Sequence, residues 1–491
     1  MSAPVVETRM GVVIVGQASS NLEETAHEQG RAVEHLSPEA VPTFLLTTSE
    51  DWAIVAGAEA LPDLALDRFK TPLLVDMLGM QPSRISDPAV GSALGRATAL
   101  FGVSRETAQW LEDHAAISPQ VLQGFDTALR VAESPFLMVV GAGLGNVLQA
   151  TPAIRAVSDT LGHPIDVFVT NPRAVSLIGR AQSVNLALAD RAMLESRHYD
   201  RAFVTSSAGR FVPPVGTDEL ATQRPRFEMT KAGEWMHETA FYTLGLTDLL
   251  PEFRMSNSQS QDYFVSDYAY RTPRSGIVGI CSGVRPGVWE RRGWPHFEEL
   301  AGRLRQLGYQ TWSFGTKDEY VPGTVDKTGT ELRQNLVDMQ MCDYFVATDG
   351  GIYHMAEGLG IPTLVLFGPT SVIKNGPNRA TTRIAHTLEP CSPCHWKIDF
   401  HRCQDPVCTS NMGIQLVMDE FLGLVAETNG EPSSGIGSAT AGAELVRRHE
   451  KDNRNVPYRQ EFAPAYTEES FSLYPRSTRA AERVVMGRGK L

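Results

Sequence analysis

The sequence predicts an α/β protein whose parallel sheets are wrapped by helices, and three observations lead there. Apolar runs of strand length, such as FLMVVG at 136–141, are followed by helical patterns. That alternation occurs in two clear series, one opening near Ser134 and one near Ser275. The chain has 491 residues, 42% of them hydrophobic and 21% charged, too many for one ordinary domain and apolar enough to fill two or three cores.

Residues 10–16 (MGVVIVG) read as a buried strand. A helical pattern runs from Asn21 to His35, followed by short apolar segments at Thr43–Thr47, Trp52–Ala56 and Pro72–Asp76. Ala97–Phe101 reads as a strand, VSRETAQWL as a helix with Ser104 as its N-cap, and Val121–Asp126 as a further strand. Residues 1–133 therefore form an N-terminal α/β segment to which the sequence assigns no function. From 134 to 255 the pattern is that of a Rossmann-like domain: a strand at 136–141, a turn with Gly141, Gly143 and Gly145, a helix over Val147–Leu161, strands at Ile165–Thr170 and Arg201–Thr205, and a helical stretch over 228–247. Residues 256–274 read as a linker, on the polar stretch Ser256–Asp262.

The second series, 275–429, has strands at Gly276–Ile280, Gln310–Phe314, Tyr344–Thr348 and Pro362–Phe367. Helices are expected over Phe297–Leu307, Leu332–Gln340, Tyr353–Leu359 and Gln415–Ala426, again a doubly wound pattern. Residues 430–491 open on a small-residue linker and continue as a tail that reads as largely disordered, with one helix near Arg479–Met486.

A net charge of −13 argues against a nucleic-acid-binding surface. No apolar run is long enough to span a bilayer, and the N-terminus lacks the order of a signal peptide, so a cytoplasmic chain with reduced thiols is expected. All six cysteines lie beyond residue 280, four of them between Cys391 and Cys408, which points to a local site.

Three segments carry chemistry. Gly141-Ala-Gly-Leu-Gly-Asn-Val-Leu-Gln-Ala-Thr-Pro-Ala-Ile-Arg155 is a glycine turn between strand and helix, where a ligand can approach the backbone. A dinucleotide fold is the rival, weakened by the absence of the third glycine at its usual spacing. Arg291-Arg-Gly-Trp-Pro295 opens the helix at Phe297, and Arg292 can fork two hydrogen bonds to a diphosphate or simply be a solvated basic turn. The run Thr348 to Thr370 (TDGGIYHMAEGLGIPTLVLFGPT) places Asp349 at a strand end, where a carboxylate can accept from sugar hydroxyls. Gly350 and Gly351 open a helix whose N-terminus favours phosphate. His354 reads either as a donor contact or as a structural histidine, and Gly368, Pro369 and Thr370 follow the next strand into the same crevice.

These three segments together resemble glycosyltransferase family 9, the ADP-heptose heptosyltransferases. The first resembles the family's G-D-V-L-x-x-T-P-A-[LI]-R loop, and the third its [ND]-D-[ST]-G-x-x-H-x-A-x-x-L-G-x-P…F-G-P-T run, with Thr348 at the first position and Gly350 at the third as departures. The resemblance covers about 135–425 and implies the GT-B fold of two facing Rossmann-like domains, here with the extra N-terminal segment and the tail. It implies metal-independent, inverting sugar transfer from a nucleotide sugar, ADP-heptose first among candidates. Arg292, Asp349, Gly350, Gly351, His354, Gly368, Pro369 and Thr370 would lie at the donor. Gly143, Gly145, Asn146 and Thr151 would lie at the acceptor side.

A direct displacement needs a base for the acceptor's proton. The family's Asp at that position is Asn146 here, and an amide cannot take the proton. The catalytic assignments are thus Asp349 and, at the family's base position, Asn146. Cys391, Cys394, Cys403 and Cys408 have a spacing suited to four-thiolate coordination of a structural Zn or Fe, with four unliganded cysteines as the alternative. The resemblance extends to a CSPC segment here and to protein-modifying (autotransporter) heptosyltransferases, which hold iron on a cysteine finger. Cys281 and Cys342 read as buried small hydrophobes.

Two function classes follow. One is a glycosyltransferase whose acceptor is a lipopolysaccharide core, another glycan, a lipid-linked glycan or a protein hydroxyl, with a peripheral contact at the inner membrane left open. The other, motivated by Asn146, is a catalytically silent sugar-nucleotide-binding or scaffold protein. The oligomeric state is not legible.

Overall fold

The structure is a computed structural model. It describes residues 10–16, 22–47, 52–57, 60–61, 72–78, 94, 97–115, 117–119, 124–141, 143–179, 181–194, 197–205, 216–222, 275–283, 287–377, 379, 381–394 and 398–432. The α/β class is as expected, with three sheets that are parallel but for one edge pairing. The chain divides into two compact units. One holds the first two sheets, and the other holds the third sheet with the segment Gly143–Pro152.

The first sheet has the order β2-β1-β3-β4-β5, with β1 Gly11–Val15, β2 Val33–Leu36, β3 Trp52–Gly57, β4 Leu73–Asp76 and β5 Ala99–Phe101. β1, β3 and β4 are buried on both faces and read as largely apolar runs, whereas the edge strand β2 is partly exposed. Val12, Ile14, Ala53, Val55 and Leu74 face Leu22, Ala26, Phe125 and Leu129 of the helices Leu22–Glu28 and Phe125–Glu133. Val13, Val15, Ile54 and Val75 face the opposite way, into a core shared with the second sheet.

The second sheet has the order β11-β10-β7-β8-β9-β6, with β6 Ile117–Pro119, β7 Phe136–Val140, β8 Ile165–Val169, β9 Val184–Leu188, β10 His198–Val204 and β11 Gly216–Thr222. Leu137, Val139, Phe168, Leu186, Leu188 and Val204 belong to one apolar cluster with Val13, Ile54, Val75 and Leu100 of the first sheet. A buried polar knot ties the same two sheets. Asn185 on β9 donates to the Thr98 carbonyl at 2.9 Å and to Asp166 at 2.6 Å. Tyr199 and Arg197 donate to the other carboxylate oxygen at 2.7 and 3.2 Å. Burial pushes the Asp166 carboxyl upward while Arg197, Tyr199 and Asn185 pull it back, as a desolvated but well-partnered carboxylate requires.

The third sheet has the order β14-β13-β12-β15-β16-β17, with β12 Ile277–Cys281, β13 Gln310–Ser313, β14 Val325–Asp326, β15 Tyr344–Thr348, β16 Thr363–Leu366 and β17 Thr382–Ala385. Counted from β12, this is the order 3-2-1-4-5-6 of a doubly wound sheet, with the chain reversing between β12 and β15. Ligands of such sheets sit outside the carboxyl ends of the strands at that reversal, which here means the ends of Cys281 and Thr348. One face is covered by the helices Phe297–Gln306 and Ile414–Thr428 through Leu300, Leu304, Val417, Phe421 and Leu424. Arg383 of β17 is wholly buried and donates through Nε and Nη2 to Glu420 at 3.0 and 2.6 Å and through Nη1 to Glu427 at 2.6 Å.

Several sequence expectations need correcting. The helix expected to His35 stops at Glu28, because Gly30 takes a left-handed conformation (φ 70°) and turns the chain into the edge strand β2. Thr43–Thr47 lies in the helix Val41–Thr47. Of the strand expected over Val121–Asp126, Phe125 and Asp126 open a helix, and 121–123 lie outside the described residues. Ser104 does cap the helix Arg105–Ala115, accepting from the Thr107 amide at 3.1 Å. The helical stretch 228–247, the linker 256–274 and the tail from 433 lie outside the described residues. No helix among the described residues is long and apolar enough to cross a membrane.

Candidate functional site

The site is built at the carboxyl edge of the third sheet. Asp349 follows β15 directly, its amide donating to Leu366 on β16 at 3.1 Å. It is 3% exposed. Its backbone carbonyl accepts from Arg292 Nη1 at 2.8 Å, and its Oδ2 accepts from Asn375 Nδ2 at 3.1 Å. Among the described residues nothing donates to Oδ1. Asn375 is fixed in turn, because the Tyr353 hydroxyl donates to its carbonyl at 2.8 Å and Ser371 caps its short helix, Val372–Asn375. Asn375 was invisible in the sequence, since it meets Asp349 only through the fold.

The helix Gly351–Gly358 begins beside Asp349 with no side-chain cap at Gly350, leaving its first amides for other partners. Gly351 is required by close approach: a Cβ there would fall 2.6 Å from Leu144 Cβ and 3.0 Å from the Gly145 amide. A Cβ on Gly145 would in turn press on His354 at 3.2 Å. The Gly143–Pro152 segment thus packs within the second unit against the opening of this helix.

His354 is buried, and the Gln149 side-chain amide donates to its Nε2 at 2.9 Å. In the neutral ring this puts the proton on Nδ1, which faces Glu357 at 4.0 Å. Both ring nitrogens therefore face protein groups, the surroundings of a histidine held in the fold. Thr151 is buried as well, and its hydroxyl donates to the Leu148 carbonyl at 2.7 Å. That carbonyl would otherwise lack a helical partner, because the residue four positions on, Pro152, has no N–H. The Thr-Pro pair therefore repairs its own helix. Asn146 is half-buried beside Gly143, in the first turn of the helix Leu144–Leu161.

Arg292 closes the 3-10 helix Gly287–Arg292 and lies over the Trp289 ring at 4.8 Å, a cation–π contact that holds its guanidinium against Asp349. Trp294 anchors the following turn by donating to the Met412 carbonyl at 2.6 Å. Gly368 lies against Thr409, with 2.5 Å between a Cβ placed there and Thr409 Cγ2. Thr370 is 2% exposed, and its hydroxyl has no hydrogen-bond partner among the described residues.

The four-cysteine segment packs behind these loops. Ser392 Oγ donates to the Gly368 carbonyl at 2.5 Å, and the Cys394 amide donates to the Pro369 carbonyl at 2.9 Å. Cys391 is exposed, Cys394 and Cys403 are half-buried and Cys408 is buried. Burial pushes the Cys408 thiol up to about 12, and Cys394, Cys391 and Cys403 add to the rise, so the four sulfurs share one neighbourhood. Among the described residues no three His, Cys, Asp or Glu side chains are arranged to hold a metal. Cys281 and Cys342 are buried with thiols raised by desolvation, as expected of packed, inert cysteines.

Comparison with known proteins bears on this unit. The glycosyltransferase family 9 (heptosyltransferase) model matches residues 245–403. Lipopolysaccharide heptosyltransferase 2 of Salmonella typhimurium is 28% identical over 140 residues, which are 25% of this chain and 39% of that protein. Lipooligosaccharide heptosyltransferase 2 of Haemophilus influenzae is 32% identical over 112 residues, 19% of this chain and 32% of that protein. The alignments thus span about two fifths or less of these relatives. Among solved structures, E. coli ADP-heptose lps heptosyltransferase II aligns with 60% of this chain and 99% of its own at 18% identity and a TM-score of 0.45. The iron-containing dodecameric glycosyltransferase TibC of enterotoxigenic E. coli aligns with 61% and 80% at 12% identity and a TM-score of 0.42. The candidate site residues Arg292, Asp349 and the Gly368–Thr370 loop all lie within 245–403, the part of the chain that is similar to glycosyltransferase family 9 (heptosyltransferase).

Proposed function

We propose that this protein is an inverting GT-B glycosyltransferase that moves a heptose or related sugar from a nucleotide-sugar donor, ADP-heptose, to a glycan, a lipopolysaccharide core or a protein hydroxyl. The observation that carries the reading is Asp349, held at the end of β15 by Asn375 and Arg292 with one carboxylate oxygen open. That oxygen can accept from a sugar hydroxyl. The adjacent helix N-terminus and Arg292 supply positive potential for a diphosphate, and the unpartnered Thr370 hydroxyl offers one more bond in the same crevice. The donor's chemistry is that of a nucleoside diphosphate sugar, in keeping with the heptosyltransferase family model that matches residues 245–403 and with the heptosyltransferase relatives. A cytoplasmic location follows from such a donor.

The base is the open element of this mechanism. Asn146 cannot take the proton, and His354 has its nitrogens turned to Gln149 and Glu357. The second reading, a sugar-nucleotide-binding protein without transfer activity, rests on this. Mass spectrometry of the purified chain with a panel of ADP- and UDP-sugars and candidate acceptors tests both. An ADP-sugar retained and its glycosyl mass transferred is the expected result. Retention without transfer or hydrolysis, unchanged when Asn146→Asp restores a carboxylate, selects the silent reading, and no retention of any nucleotide sugar overturns both.

The cysteine finger is proposed to hold one structural Zn or Fe. The support is the donor set itself, four thiols in one neighbourhood that could bind a soft metal as thiolates. Cys391, Cys394, Cys403 and Cys408 would be the ligands, closing the site and contributing stability rather than a step of transfer. Elemental analysis should find about one Zn or Fe per chain, and Cys394→Ser should lose the metal and lower the melting temperature. A wild-type chain free of metal, with the same melting temperature as the variant, overturns this.

A further inference from the structure

We propose that the cysteine finger braces the donor site and that Arg291 is the positioning residue that carries the support to Arg292. The inference rests on the donor-site reading above and names a residue to which neither the motifs nor the comparisons give a role.

The finger reaches both arms of the site. On one side Ser392 and the Cys394 amide hold the carbonyls of Gly368 and Pro369. On the other, Arg291 donates through Nε to the Cys403 carbonyl at 2.7 Å and through Nη2 to the His401 carbonyl at 3.2 Å. Its guanidinium lies 5.8 Å from the Phe400 ring, and Phe400 is fully buried. Phe400 also packs on Trp289 at 5.3 Å, and Trp289 is the ring under Arg292. The 3-10 helix Gly287–Arg292 is thus attached to the finger through Arg291 and Trp289, while Arg292 is turned to the Asp349 carbonyl.

A two-turn 3-10 helix is held by poorer hydrogen-bond geometry than an α-helix. Neighbouring arginines on it would wander unless something outside fixed them. Arg291 suits that task because its planar fork spans two carbonyls of one loop. With Arg291 fixed, Arg292 is delivered to Asp349 already oriented, and less freedom is lost when an anion binds.

ADP binding to the full chain, measured by titration calorimetry, tests this through a double-mutant cycle. Arg291→Met is expected to weaken ADP about tenfold with the melting temperature unchanged, and Arg291→Lys, which still offers N–H donors to the carbonyls, should recover part of the loss. In an Arg292→Met background the Arg291→Met change should add less than about twofold, because its effect passes through Arg292. Wild-type affinity in Arg291→Met, or a full tenfold loss in the Arg292→Met background, overturns the brace while leaving the donor reading in place. Wild-type affinity in Arg292→Met overturns the donor reading itself. Should Arg291→Met melt early, Arg291→Gln repeats the same cycle with a side chain that keeps one amide donor, judged by the same two outcomes.

Discussion

Asp349→Ala is expected to lower sugar transfer by about a hundredfold or more while the chain stays folded. The carboxylate is placed by three attachments: its amide to Leu366, its carbonyl to Arg292 and its Oδ2 to Asn375. Two of these are backbone bonds and survive the substitution. Asn375 loses an acceptor but is half-exposed and can turn to water, so the stability cost is about 1 kcal/mol. Transfer suffers far more, because a sugar left without its partner at Oδ1 loses the alignment on which displacement depends. Steady-state kinetics with a labelled donor, beside a melting curve, is the check. A folded variant with near-wild-type turnover would remove Asp349 from the site. Asn375→Ala should fall between the two, since it leaves the carboxylate in place but free to rotate.

The largest effect on stability is expected at the far edge of the same sheet. Glu420→Ala leaves the guanidinium of Arg383 buried on β17 without the carboxylate that meets both its Nε and its Nη2. Breaking one partner of such a pair costs about 3–5 kcal/mol. Glu427, at 26% side-chain exposure, retains only the Nη1 contact and softens the loss. Gly423 of the same helix makes room for this guanidinium, since a Cβ there would be 2.7 Å from its central carbon. Urea titrations should show a lower midpoint with an unchanged slope. Replacing both partners, as Arg383→Met with Glu420→Leu, should cost less than Glu420→Ala alone, since no orphaned charge remains. A single-variant loss below about 1 kcal/mol would show that water reaches the pair.

The second unit was the more legible in sequence, for a physical reason. Its helix Leu332–Gln340 and strand β15 were placed correctly, because the helix repeats apolar residues at Leu332, Leu336 and Met339 and the strand is one short, wholly buried run. The misses, in both units, are short. β9, β14 and β17 have two to five residues, too few for alternation to separate them from loop. The helix expected to His35 was overrun because Gly30 was passed over as a stop. In the candidate site, the residues carried by motifs were readable, whereas Asn375, Arg291 and Gln149 were not. Their partners lie 26, 112 and 205 residues away, and single-sequence patterns do not report such distances. Thr151 is the opposite case, a motif residue whose hydroxyl serves its own helix.

The core shared by the first two sheets sets an order of events on the ribosome. Synthesis finishes β1 to β5 by Phe101, yet the apolar side bearing Val13, Ile54, Val75 and Leu100 is completed by Leu186, Leu188 and Val204. At roughly 5–20 residues per second, that side stands only partly covered, by early residues such as Val41, Ala108 and Leu111, for several seconds after its strands exist. The Asn185 link to Thr98 arrives only with the same late segment. A nascent chain halted between these points displays a greasy sheet face whose covering layer is incomplete, the kind of surface that chaperones for unfinished proteins hold.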